Sequence, residues 1–109
     1  MIMANHDETA AELTARLRLN RLLAQPGIDP QWLEEGLNRV TELGRVIRGH
    51  RDGRLDARST RQSLHALVSG YSETIPHTPS AQRVAMVQIA SILQAAVEMA
   101  SRGLGLSDE

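Results

Sequence analysis

The stretch from Ala81 to Ala100 constrains the fold most. Wound as an α-helix, it carries Ala81, Ala85, Met86, Ile89, Ala90, Ile92, Leu93, Ala96, Val97, Met99 and Ala100 over about half of its circumference, with Gln82 the only polar intruder. The opposite strip is Ser80, Arg83, Gln88, Ser91, Gln94, Glu98, Ser101 and Arg102. A surface helix needs an apolar arc of only ~100°. This one therefore either lies at the centre of a bundle, or packs on its own domain along one flank and on another chain along the other. With at most three other helices in the chain, the second arrangement is the favoured expectation. It predicts self-association, as a homodimer, or partner contact centred on Met86, Ile89, Leu93 and Val97.

The rest of the chain supplies partners of the same kind. Phenylalanine is absent and Trp32 and Tyr71 are the only aromatic residues, so the core must come from Leu, Ile, Val, Met and Ala, which suit helices better than a sheet. Residues 7–24 are good helix formers, with Ala10, Leu13, Leu17 and Ala24 on one side and Leu19, Leu22 and Leu23 nearly opposite. Two apolar stripes imply two neighbours. Pro26-Gly27 ends this helix. Asp29 as cap and Pro30 in the first helical position open the next, and Glu34 and Glu35 favour the positive end of its dipole. Leu33, Leu37, Val40, Leu43 and Ile47 form its apolar face, and Gly36 and Gly44 beside that face suggest close backbone approach. Gly49 and Asp52-Gly53 mark a turn, after which Asp56 caps a third helix to about Ile75 with Leu64, Leu67, Val68, Tyr71 and Ile75 on its apolar face. Pro76 to Pro79 is a second break, and Thr78 with Pro79 opens a fourth helix ending near Gly103. The expected fold is a small all-α bundle of about four helices, one domain over residues 1–109 with short frayed termini.

A chain of 109 residues buries roughly two-thirds of its unfolded surface, enough for a modest core without metal or disulfide. There is no cysteine, which excludes disulfides and thiol catalysis and favours the cytoplasm. The opening Met1-Ile2-Met3-Ala4-Asn5-His6-Asp7-Glu8 lacks the basic-then-apolar order of a signal peptide, and no uninterrupted apolar stretch reaches the ~20 residues of a membrane span. No phosphate loop, paired histidines on one helical turn or nucleophile elbow is present. The histidines at 6, 50, 65 and 77 have no ligand spacing, and Glu34-Glu35, adjacent in sequence, diverge by ~100° on a helix. The sequence predicts no enzyme, no metal and no cofactor, and a function exercised by binding another macromolecule.

All twelve cationic residues counted as Lys and Arg are arginine, and six of them fall between residues 45 and 61 against two acids, in a chain of formal charge -1. Arg45, Arg48, Arg51, Arg54, Arg58 and Arg61 would form a slowly turning ridge if the segment stayed helical, suited to phosphates or to an acidic protein patch. Arg45, Arg48 and Arg51 are equally accounted for by the negative end of the second helix, and Asp52 and Asp56 partly neutralise the cluster. Direct nucleic-acid binding is the alternative reading, not the favoured one. Trp32 is either an exposed interface anchor or a plug at the end of the bundle. Tyr71 is expected in the core with its hydroxyl at the rim.

Over its whole length the chain resembles bacterial quorum-sensing anti-activators of the QslA type. The resemblance is carried by Met1-Ile2-Met3-Ala4-Asn5-His6, by the helix start Ile28-Asp29-Pro30-Gln31-Trp32-Leu33-Glu34-Glu35 and by the order of helices. It implies a cytoplasmic regulator that binds the ligand-binding domain of a LuxR-type transcription activator such as LasR, prevents its dimerisation and so stops it binding promoter DNA. The alternatives are a small DNA-binding regulator using Arg45 to Arg61, and an antitoxin or phage accessory protein that simply assembles.

Overall fold

The computed structural model describes residues 9–22, 24, 25, 27–75 and 80–106. They form four helices: α1 (Ala10–Leu22), α2 (Pro30–Arg51), α3 (Ala57–Ser72) and α4 (Ser80–Gly103). Pro26, Pro76 to Pro79, both expected frayed tails and His6 lie outside the described residues.

Each described start is written in short-range chemistry. Thr9 and Glu12 make a reciprocal capping box: the Thr9 amide donates to Glu12 Oε1 at 3.0 Å and the Glu12 amide donates to Thr9 Oγ1 at 3.3 Å. Asp29 caps α2 by accepting from the Gln31 amide at 2.9 Å, with Pro30 following it, and Asp56 caps α3 by accepting from the Ser59 amide at 2.7 Å. The end of α2 is a Schellman turn: Gly53 takes φ +82°, its amide donates to the His50 carbonyl, and the Arg54 amide donates to the Gly49 carbonyl. A third helix to about Ile75 is one turn too long, since α3 stops at Ser72 and Glu73 caps it.

The result is an all-α four-helix bundle in which α2 and α4 touch each other and both flanking helices. α1 packs along one side of that pair and α3 along the other. α4 runs antiparallel to α1, with Thr9 to Ala11 beside Met99 to Leu104. The wide arc of α4 is thus filled by three helices of its own chain. Met86, Ile89 and Leu93 are 0%, 0% and 3% exposed, and Val97 packs against the same core. Met86, Ile89 and Leu93 therefore have no free surface to offer a second chain, because the arc serves three internal neighbours, whereas Val97 is only partly buried and faces the cleft between α3 and α4. By length and mean hydropathy (1.5) the segment Gln82–Gly103 would also pass for a membrane span, but its apolar arc is the floor against which α1, α2 and α3 are laid.

Both glycines beside the α2 face mark close approach. A Cβ on Gly36 would lie 3.0 Å from Ile89 Cγ2 of α4 and 3.5 Å from Leu19 of α1. At both positions the approaching groups are side chains and not the backbone expected; at Gly44 it is Glu12, buried, which reaches across to Arg48 at 3.7 Å. Gln82, the polar intruder in α4, accepts the indole N–H of Trp32. Trp32 is accordingly half-buried and joins the starts of α2 and α4, closing the end of the bundle.

Candidate interaction surfaces

Apolar side chains that the fold leaves in water are the first candidates. On α1, Ala11, Ala15, Leu19 and Leu22 enter the core, whereas Leu13 and Leu17 stay 49% and 52% exposed. Of the two stripes on this helix, the one with Leu19 and Leu22 is buried within the chain, its Leu23 lying outside the described residues, and the other keeps its two leucines about half in water. On α4, Val84 and Val87 are 70% and 51% exposed. They lie on the outward strip, and they were not part of the apolar arc read from the sequence. The signal that could have found them is their position among Arg83, Gln88 and Ser91, where packing gives valine no role.

The arginines are divided by the turn at Gly53 among separate places. Arg45, Arg48 and Arg54 come together around a basin of about 500 Å³ whose other walls are Gly49, Asp52 and Leu55. Arg51 instead lines an apolar groove with Ile47, Met99 and Leu104, Arg61 lines the cleft between α3 and α4 with His65, Val97 and Leu106, and Arg58 is exposed in the first turn of α3. The continuous ridge expected from three-residue spacing does not exist, because α2 ends at Arg51. Within the basin, Arg45 pairs with Glu42 at 3.2 Å and Arg54 with Asp52 at 3.1 Å. Arg48 is the third cation, held from behind by Glu12.

A further cavity of about 310 Å³ lies between α2 and α3, lined by Trp32, Glu34, Glu35, Arg39, Tyr71 and Thr74 among others. Arg39 donates to Glu35 Oε2 and to the Leu67 carbonyl, both at 3.1 Å, and lies 6.0 Å from the centre of the Tyr71 ring. This lid explains why the Tyr71 hydroxyl is not at the rim: the residue is 1% exposed and the hydroxyl has no hydrogen-bond partner among the described residues. Burial, reinforced by the Glu35 carboxylate, pushes Tyr71 up to about 12.

Polar side chains elsewhere have structural work. Thr60, buried, donates to the Asp56 carbonyl at 2.7 Å, which leaves its oxygen to accept from His50 Nδ1 at 3.0 Å and ties the end of α2 to the start of α3. Among the described residues no three His, Cys, Asp or Glu side chains converge as a metal site. Compared with family models, with curated proteins and with solved structures, the chain matches none.

Proposed function

We propose that the chain is a regulatory protein-binding protein, a quorum-sensing anti-activator that occupies the ligand-binding domain of a LuxR-type transcription activator such as LasR and so blocks its dimerisation and DNA binding. The observation that carries the binding part of this reading is the Leu13 and Leu17 stripe, half in water on a helix whose other stripe already provides its anchorage. Half-exposed leucines forgo on the order of 1 kcal/mol of burial each, which a partner surface can restore. The identity of the partner is supported by the resemblance in the opening residues, in the start of α2 from Ile28 to Glu35 and in the order of helices. An apolar helical strip is the kind of surface that competes with a hydrophobic dimer interface.

The test is reconstitution. Purified chain mixed with the ligand-binding domain of LasR should co-elute as a complex that is nearly indifferent to salt, as an apolar interface is, and should release the full activator from a labelled promoter fragment. Leu13→Lys with Leu17→Lys should abolish both effects while leaving helicity and thermal midpoint nearly unchanged. Unaltered binding by that double variant would refute the assignment of the surface, and absence of any complex would refute the assignment of the partner. Retention of the promoter fragment by the chain alone, lost at high salt and lost with Arg45→Glu and Arg54→Glu, would make direct DNA binding the better account.

A further inference from the structure

We propose that the basin at the corner between α2 and α3 receives an acidic segment of a partner polypeptide, its carboxylates on Arg45, Arg48 and Arg54 and an apolar side chain on Leu55. The proposal does not depend on the identity of the activator above.

The basin is built by the Schellman turn. With Gly53 left-handed, the amides of Arg54 and Leu55 both donate to the Gly49 carbonyl, at 2.9 and 3.1 Å. The chain is thereby folded back over the end of α2, and Arg54 is set beside Arg45 and Arg48 instead of a turn beyond them. Leu55 lies directly on Gly49, where a Cβ would stand 3.0 Å from its Cδ1. That contact makes a half-buried apolar floor with cations on its rim.

The cations are reachable and unequal. The side chains of Arg45 and Arg54 are 71% and 68% exposed, and their partners Glu42 and Asp52 are 49% and 61% exposed. Pairs this open are worth about 1 kcal/mol or less, so an incoming carboxylate exchanges with them at little cost. Arg48, 37% exposed and held by a Glu12 carboxylate that is 3% exposed, is a pre-oriented donor at the back of the basin. Guanidinium groups bind carboxylates with two parallel N–H donors, and three around one floor suit a segment in which acidic residues flank an apolar one.

The same details disfavour a nucleic acid. A nucleic-acid strand presents an unbroken series of phosphates, whereas the basin offers three cations around one apolar floor and no continuous track. No aromatic side chain lines the basin for bases to stack on. Arg51, Arg58 and Arg61, which would have to continue a backbone track, face other cavities or open solvent. An apolar floor has a use for a leucine side chain and none for a sugar-phosphate.

The probes are three labelled ligands of equal length followed by fluorescence anisotropy: a peptide repeating Glu-Glu-Leu, the same peptide with glycine for leucine, and single-stranded oligothymidylate. The leucine peptide should bind most tightly, the glycine peptide roughly tenfold more weakly, and affinity should fall with salt. Arg45→Ala with Arg54→Ala, both at exposed positions outside the core, should weaken the leucine peptide by at least about tenfold without altering the thermal midpoint. Leu55→Ser should erase the difference between the two peptides. No binding of the leucine peptide, binding unaffected by the arginine variant, or tighter binding of the oligonucleotide lost in that same variant would each overturn the proposal.

Discussion

Gly44→Ala sets a helix preference against a buried ion pair, and the structure gives the sign. Alanine in mid-helix gains about 1 kcal/mol over glycine. At position 44, however, the new Cβ would stand 2.9 Å from the Glu12 carboxyl carbon and 2.7 Å from Arg48 Nη2, with Glu12 Oε2 closer still. Something has to move, and Glu12 is the constrained party: it is 2% exposed and its other oxygen accepts from both the amide and the hydroxyl of Thr9. Displacing it undoes the α1 capping box, about 1 kcal/mol, and parts a buried carboxylate from its cation. Breaking a fully buried pair costs about 3–5 kcal/mol, and the partial exposure of Arg48 puts this one at or below the low end. After the propensity gain, the net loss is about 2 kcal/mol, or a fall of roughly 8–16 °C in thermal midpoint for a domain of this size. Urea unfolding followed by circular dichroism at 222 nm measures it. The decisive arm is Glu12→Ala: with the carboxylate gone, the same Gly44→Ala change should become neutral or stabilising, and the double-mutant cycle should show the reversal. Gly44→Ala stabilising the native chain, or costing the same in both backgrounds, would refute the reasoning.

Other variants test the same physics elsewhere. Leu93→Glu places a carboxylate at a site 3% exposed, so it should cost several kcal/mol and abolish the cooperative unfolding transition; a folded protein that merely changed its sedimentation coefficient would instead put Leu93 at an interface between chains. Tyr71 is the only tyrosine in the chain, and its ionisation, followed by absorbance at 295 nm in the folded protein, should have its midpoint near 12. Because the unfolded chain releases that proton near 10 and the folded one only near 12, stability should be intact below pH 10 and should fall by about 3 kcal/mol as pH rises through that window; a midpoint near 10 without unfolding would refute the burial. Asp56→Ala, removing the carboxylate that accepts from Ser59, should lower the unfolding midpoint in the same urea assay, and an unchanged midpoint would show that the cap contributes nothing.

What could be read from the sequence was whatever local chemistry decides. Asp29 before Pro30, Asp56, and the Asp52-Gly53 turn each placed a helix end within a residue or so of its position, because a cap or a left-handed glycine acts on neighbours along the chain. Gly36 and Gly44 were legible as close approaches, though not as contacts with Ile89 and Glu12. The capping box of Thr9 and Glu12 was missed, and α1 was started early, although the Thr-x-x-Glu spacing is plain in the sequence. Non-local questions stayed open. The apolar width of α4 shows how much surface must be covered and not by whose side chains, so the division of that arc among α1, α2 and α3 could not be obtained from periodicity. The arginine series failed for the complementary reason: spacing predicts a ridge only while the helix lasts, and Gly53 ends it among the arginines.

The division of labour within α1 connects stability to function. The helix is held by small side chains against α4, by Leu19 and Leu22 in the core, and by Glu12, which serves its own amide cap and reaches Arg48 of α2. None of these holds involves Leu13 or Leu17. A helix anchored in this way can carry two leucines half in water, and replacing them with lysine, whose stem keeps apolar contact on the covered side, should leave the fold energy within about 1 kcal/mol of its starting value. Alanine at 11 and 15 contributes less burial per residue than leucine would, yet it lets α1 lie close enough for Glu12 to reach across to α2. Leucines placed on the core-facing side instead would have raised burial and pushed the helix outward. In its first two turns α1 thus presents alanine to the bundle and leucine to the face that the bundle does not fully cover, and binding at that face can be measured with little change of stability.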